Sequence, residues 1–242
     1  LSNPELLIKY IAELGLNCLY MSVTLLRVLR TNSLKLTGKI PRINSLERIG
    51  SCGEPLANEI GIWAINFFKP RRKTIVNTFF QTETGGVLVA PRDEDGVPSD
   101  YSCVGKPREE LGLFIAKERL TKTELEEDNI DPDEILIENS WKGLFQKVES
   151  DRDANYFTSH GYFRLHDVGH IDAEGFLYIG GRSDDVINTA GHRISSSEIE
   201  SITLTLPEVN ESCAVSSNDI LLGEKPVLFI SLMSNKVDKF SE

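Results

Sequence analysis

Apolar positions in the first third of the chain alternate between two periods. Leu6, Leu7, Tyr10, Ile11 and Leu14 recur at helical spacing until Gly15 ends the run. They follow Asn3-Pro4-Glu5, which offers a capping side chain, a proline for the first turn and an acid at its positive end. LNCLYM (16–21), LERIGSC (46–52) and TIVNTFF (74–80) read as strands, and SVTLLRVLRT (22–31) and ANEIGIWAINFF (57–68) as helices. A loop through Gly38, Pro41 and Asn44 separates the first of these helices from the second strand. Strands alternating with helices predict parallel pairing with helices on the faces. Ligands of such sheets sit at the carboxyl ends of the strands, where Gly53-Glu54-Pro55 and the polar run QTETGG (81–86) both fall.

Beyond Val87 the pattern shortens. VLVAP, LGLFIA and EILIE are strand-like, and KERLTKTELEEDNIDPDE (117–134) reads as a solvated surface loop. Its oxygens lack the spacing and the glycine of a calcium loop. HIDAEGFLYIGGR (170–182) predicts a hairpin about Asp172-Ala173-Glu174-Gly175. Ser195 with Glu198 makes a capping box that opens ISSSEIESITLTL, and Pro207 closes it. VNESCAVSS and KPVLFISLM then return to strand, so a small α+β unit is expected beyond a boundary at Ser183–Asp185.

Bulk properties narrow the function. The 242 residues suffice for one large domain or two smaller ones. No apolar run is long enough to span a bilayer, and the first residues lack the pattern of a secretory signal, so no membrane partner is expected. The chain starts without an initiator Met, which predicts a processed or excised piece. A net charge of −11 with no basic stripe argues against a nucleic-acid partner. Cys18, Cys52, Cys103 and Cys213 form no C-x-x-C pair, which points to an intracellular setting, cytoplasmic or mitochondrial matrix.

One stretch is unusually rich in chemistry. Residues 156–200 hold all four histidines, a glycine-flanked Arg182, the pair Asp184-Asp185 and Gly191-His192-Arg193. His166 and His170 flank Asp167, but i, i+4 spacing on a strand does not converge on one ion, so metal is a minor reading. In order, GEP, NTFFQTETGG and YFRLHDVGHIDAEGFLYIGGRSDDVINTAGHRISSSEIES resemble the adenylate-forming superfamily, most closely its acetyl-CoA synthetase branch. The resemblance runs over essentially the whole chain.

The resemblance implies an α/β fold in which residues 1–184 are part of the large domain, with a small β-rich subdomain, and 185–242 begin a small mobile domain. It implies ATP, Mg²⁺ and coenzyme A as cofactors and a short-chain carboxylic acid as substrate. Gly53, Glu54 and Pro55 match a turn lying against adenine. Asn77, Thr78, Phe79, Phe80, Gln81 and Thr82 match the segment completing the nucleotide pocket, and Glu83 the carboxylate that holds Mg²⁺. Asp167 matches the acid gripping the ribose hydroxyls, Arg182 the arginine reaching ribose and phosphate, and Asp184 the hinge. Ala190 and Gly191 match the stretch admitting the CoA pantetheine, with Arg193 on phosphate. Cys52 and Phe80 fall in the acyl pocket. A carboxylate suits a vicinal diol because its two oxygens only accept, and fixed cations offset the repulsion between an acid and an α-phosphate.

The chain also departs from the family. The usual Thr-Gly before the ribose aspartate is Leu165-His166, preceded by Arg164, and a tryptophan pair is Phe79-Phe80. Neither the family's glycine-rich phosphate loop nor its adenylation lysine occurs, so no catalytic residue is assigned within these residues. Two alternatives stay open. One is another adenylating enzyme, such as a peptide-synthetase adenylation domain or a luciferase-like ligase. The other is a non-enzymatic relative that binds a nucleotide or a partner. The sequence does not name the acid or the oligomeric state.

Overall fold

Asn3 accepts a hydrogen bond from the Leu6 amide at 3.1 Å, and Pro4 opens helix α1 (Pro4–Glu13). Strand β1 (Cys18–Ser22) leads straight into α2 (Val23–Ser33), whose first turn is capped by the Ser22 hydroxyl. Then follow β2 (Arg48–Cys52), α3 (Asn58–Phe68) and β3 (Ile75–Asn77). The three strands form a sheet in the order β1–β2–β3, with β1 and β2 parallel in register from Cys18↔Arg48 to Ser22↔Cys52. The computed structural model describes residues 3–34, 36, 43–96, 98, 100–138, 142–144, 156–206 and 208–232. Gly38 and Pro41 of the expected loop, and Pro207, lie outside them.

The remainder is mostly antiparallel. Strands β4 (Phe79–Gln81) and β5 (Gly86–Val89) pair with each other. Strand β6 (Leu113–Ile115), two short helices α4 (Ala116–Arg119) and α5 (Lys122–Glu127), and strands β7 (Glu134–Ile137), β8 (Phe163–Ile171) and β9 (Leu177–Arg182) follow. Their four strands are ordered β6–β7–β8–β9. Last come β10 (Val186–Thr189), β11 (His192–Ser195), α6 (Ser196–Leu204), β12 (Val209–Asp219) and β13 (Gly223–Leu232), in a sheet ordered β11–β10–β13–β12. Among the described residues no helix is long and apolar enough to cross a membrane.

Two compact units result: Leu1–Val76 with Ser99–Ser102 and Asp185–Glu242, and Asn77–Pro98 with Cys103–Asp184. Each has its own core. The first packs Ile11, Leu26, Ile49, Ile60 and Phe68 with Leu204 and Val209, and the second Phe79, Ile115, Ile137, Phe163, Leu165 and Leu177.

Three local expectations are corrected. TIVNTFF is not one strand but two, in different sheets: Ile75 packs into the first core and Phe79 into the second. The surface loop expected at 117–134 contains α4 and α5. Thr121 and Glu124 form a reciprocal capping box there, a T-x-x-E signal legible in the sequence. Ser195 does sit at the start of α6, but it makes no side-chain capping bond and its hydroxyl instead meets Ser197 Oγ at 2.9 Å.

The β8–β9 hairpin turns where Asp172-Ala173-Glu174-Gly175 predicts. Asp172 Oδ1 accepts from the Glu174 and Phe176 amides, both at 2.9 Å. Those backbone bonds, Phe176's foremost, hold its pKa below the ordinary 3.8. A carboxylate with a depressed folded-state pKa contributes stability above its unfolded value, and that contribution is lost as pH falls through the folded value. Asp172→Asn is therefore expected to lower the urea midpoint at neutral pH, with the deficit shrinking as the pH drops below 3.8.

Candidate active site

The QTETGG loop divides its labour. Thr84 is fully buried; its hydroxyl accepts from the Gln81 amide at 3.1 Å and faces the Gln81 and Gly86 carbonyls at 2.9 and 3.0 Å, closing the turn on itself. Gly85 has φ +63°, and a Cβ there would lie 2.4 Å from the Gly143 carbonyl oxygen, so only glycine fits. With four of its six residues spent on shape, Thr82 and Glu83 are left at the tip. Thr82 is exposed and Glu83 half-buried, and the Tyr156 hydroxyl donates to Glu83 Oε1 at 3.2 Å.

Strand β8 supplies the other half. It pairs with β7 at Phe163 and Arg164, and again only at Val168, opposite Glu134. Leu165, His166 and Asp167 therefore bulge from the ladder, and His166 adopts a left-handed φ of +54° to make the bend. The bend frees the Leu165 carbonyl, which accepts from Gln81 Nε2 at 2.6 Å and from Arg182 Nη1 at 3.1 Å. Gln81 Nε2 also donates to Asp167 Oδ2 at 2.6 Å. Asp167 is 8% exposed, is the cross-strand partner of Arg182 on β9, and has Oδ1 3.8 Å from Arg182 Nη1. One amide, one carboxylate and one guanidinium thus converge on a single bulge, with half of the Arg182 side chain in solvent.

Comparison with known proteins finds relatives over most of the chain. The chain is 30% identical over 235 residues to the acetyl-coenzyme A synthetase of Campylobacter jejuni, an alignment covering 93% of this chain and 34% of that enzyme. The chain belongs to the adenylate-forming superfamily. It spans about a third of the length of the curated relatives it matches. Its fold matches an anthranilate CoA ligase bound to anthranoyl-AMP, with a TM-score of 0.72 and 19% identity over 96% of this chain and 42% of that one. An ATP-bound chimera of RpMatB and BxBclM gives a TM-score of 0.72 and 22% identity over 99% and 44%. No family model matches the chain.

Family membership gives the departures at β8 a physical meaning. His166 occupies a left-handed backbone that a glycine would adopt without strain. Arg164 does not crowd Asp167. It forms a fork with Glu134, Nε to Oε1 at 2.9 Å and Nη2 to Oε2 at 2.8 Å, and donates to the Asp128 and Asn129 carbonyls. Glu134 is fully buried, so removing Arg164 alone would strand a buried charge at a cost of about 3–5 kcal/mol. His166 Nδ1 lies 3.7 Å from the same Glu134, whereas His170 is exposed and stacks on Tyr178. The two histidines diverge, and among the described residues no cluster of metal-ligating side chains occurs.

The other predicted residues are distributed between the units. Gly53, at φ +92°, and Pro55 are exposed at the end of β2, and Glu54 is tied back to α2 by Arg27 at 2.7 Å and by the Thr24 amide and hydroxyl. Cys52 is half-buried on β2, and Phe80 is 41% exposed. Asn77 is buried and donates to the Cys103 carbonyl at 3.3 Å, while Thr78 is half-buried. Ala190 and Gly191 form the two-residue link between β10 and β11, both with positive φ, the type I′ geometry of a tight hairpin. Arg193 is exposed on β11; partial desolvation lowers its pKa from the ordinary value, and it stays charged at neutral pH. Asp184 lies in a short 3-10 turn, Ser183–Asp185.

Sequence reasoning gave no role to Tyr156 or Glu134, or to the bond from Gln81 to Asp167. Tyr156 opens the chemistry-rich stretch, but nothing in its spacing announces Glu83, which lies 73 positions away. Gln81→Glu would set two carboxylates against each other. It is expected to destabilise the protein by about 1–3 kcal/mol at pH 7. One carboxyl of the pair then has a raised folded pKa, so the penalty persists above that value and is relieved as pH falls through it. Urea melts at pH 7 and pH 4.5 check the sign.

Proposed function

We propose that these residues are part of an ATP-dependent acid–thiol ligase, an acetyl-CoA or other short-chain acyl-CoA synthetase. The substrate carboxylate attacks the α-phosphorus of ATP, pyrophosphate leaves, and the CoA thiol then displaces AMP from the acyl-AMP. The observation that carries this reading is the grip on Asp167. Gln81 fixes one carboxylate oxygen, the bulge lifts the side chain from the ladder, and Arg182 stands beside it as a partly solvated cation.

In this reading Asp167 accepts from both ribose hydroxyls, since a carboxylate offers two acceptor oxygens to a diol that offers two donors. Arg182 faces ribose and phosphate, and Thr82 donates to the α-phosphate. Gly53, Glu54 and Pro55 are assigned to the adenine, with Asn77, Thr78, Phe79 and Phe80 completing the pocket. Glu83 suits Mg²⁺: it is a half-buried carboxylate with one oxygen anchored by Tyr156, and magnesium is typically held by one or two carboxylates plus substrate phosphates and water. The ion, when bound, neutralises charge developing on the phosphates. Phe80 and Cys52 are assigned to the acyl pocket, where the bulk of Phe80 favours short acids. Residues 185–242 form the beginning of a mobile domain hinged at Asp184, with Ala190 and Gly191 admitting pantetheine and Arg193 contacting phosphate. A hairpin tip without large side chains suits such a passage, and a hinge needs only a few residues that absorb φ/ψ change.

In the full-length protein, Asp167→Ala and Arg182→Ala are each expected to slow ATP–pyrophosphate exchange by about 100-fold or more, the scale for losing one charged contact in the transition state. Rates within a few-fold of the parent would refute the site. The 242 residues alone are expected to release no pyrophosphate from ATP, because the phosphate loop and adenylation lysine do not occur among them. Assaying a panel of carboxylic acids for thioester product in the full-length protein identifies the substrate.

A further inference from the structure

The histidine that stands in the bulge in place of glycine does more than fill the position. Its ring meets Tyr156 edge-on, with centroids 5.4 Å apart and planes at 77°. Tyr156 also stacks on Phe163, at 5.9 Å and 18°. From these two ring contacts the Tyr156 hydroxyl reaches Glu83 Oε1 at 3.2 Å. Behind His166, Nδ1 lies 3.7 Å from Glu134, whose own position is fixed by the fork to Arg164. An unbroken series of contacts therefore joins a buried ion pair to the carboxylate at the loop tip, and every member belongs to the same compact unit.

We infer that His166 and Tyr156 are positioning residues for Glu83: His166 braces the Tyr156 ring, and Tyr156 holds the carboxylate in the orientation that receives the magnesium ion of a bound nucleotide. The inference rests on the assignment of Glu83 to that ion. A glycine at 166 would relax the left-handed backbone but could not supply the brace, so the histidine trades strain for a ring at this position. The strain is tolerable because histidine is among the side chains enriched in left-handed backbone. Groups one contact removed from a metal set the orientation of the ligand, and losing them commonly weakens metal binding about 10- to 100-fold.

The test is the affinity of the full-length protein for ATP, measured by calorimetry without Mg²⁺ and with saturating Mg²⁺. His166→Gly is expected to leave the metal-free affinity unchanged and the urea midpoint equal or higher, while cutting the gain on adding Mg²⁺ about tenfold. Tyr156→Phe, which keeps the ring and loses the hydroxyl, is expected to do the same. The double variant should lose no more than either single one, because the two residues act through one contact. His166→Asn retains tolerance of the left-handed backbone without the ring and should match His166→Gly. An unchanged Mg²⁺ gain in either single variant, or additive losses in the double, would overturn the brace. Asp167→Ala separates the two levels of the argument: it should weaken ATP binding with and without Mg²⁺. If it does not, the nucleotide assignment falls and the brace with it; if it does and the brace variants stay silent, the brace alone is wrong.

Discussion

A carboxylate taken out of water must be compensated locally, and Asp167 is compensated by an amide from another strand pair. Gln81 donates the same Nε2 group toward Asp167 Oδ2 and the Leu165 carbonyl, so one side chain stabilises both the buried charge and the backbone bend beneath it. Without the bend the Leu165 carbonyl would sit in the β7–β8 ladder, and neither Gln81 nor Arg182 could bond to it. The bend in turn requires a left-handed residue at 166. Loop, bulge and carboxylate are therefore one cooperative object rather than three motifs.

The same economy governs the acidic loop. Thr84 and Gly85 satisfy the turn internally, and Gln81 ties it to β8, so the backbone at Thr82 and Glu83 is set by their neighbours, and Tyr156 takes one oxygen of the Glu83 carboxylate. A site built this way is rigid where the backbone must be exact and open where a ligand must enter. In the ligase proposed above, that combination would suit a reaction between two anions, where catalysis depends on prearranged charge.

Charge is distributed with similar discrimination. The chain carries a net −11, yet the cations near the bulge do different work. Arg164 is buried and committed to Glu134, a pair whose stability value is small but whose disruption is costly. Arg182 keeps half its side chain in solvent while donating to the Leu165 carbonyl. Two arginines on neighbouring strands thus differ in exposure: Arg164 is buried with Glu134, whereas Arg182 stands beside Asp167 with half of its side chain in solvent.

How much of this was legible in advance follows from the range of each interaction. The cap at Asn3, the alternation of strands and helices to Ile75, and the Asp172 turn were determined by residues a few positions apart, and sequence alone was enough for them. The resemblance of GEP, QTETGG and the blocks around Asp167 and Arg182 to the adenylate-forming superfamily was also legible, because it lies in the order of residues along the chain. The split of TIVNTFF between two cores was not local, since Ile75 and Phe79 alternate no differently from any buried strand and only the packing of two separate sheets divides them. Nor was the fate of Arg164: its charge is visible in the sequence, but its partner lies 30 positions away across a bulged ladder. The bond from Gln81 to Asp167, spanning 86 positions, belongs to the same class. Local propensity fixes which elements form; contacts between distant strands decide which charges are buried and which face a ligand, and those contacts exist only once the sheets have assembled.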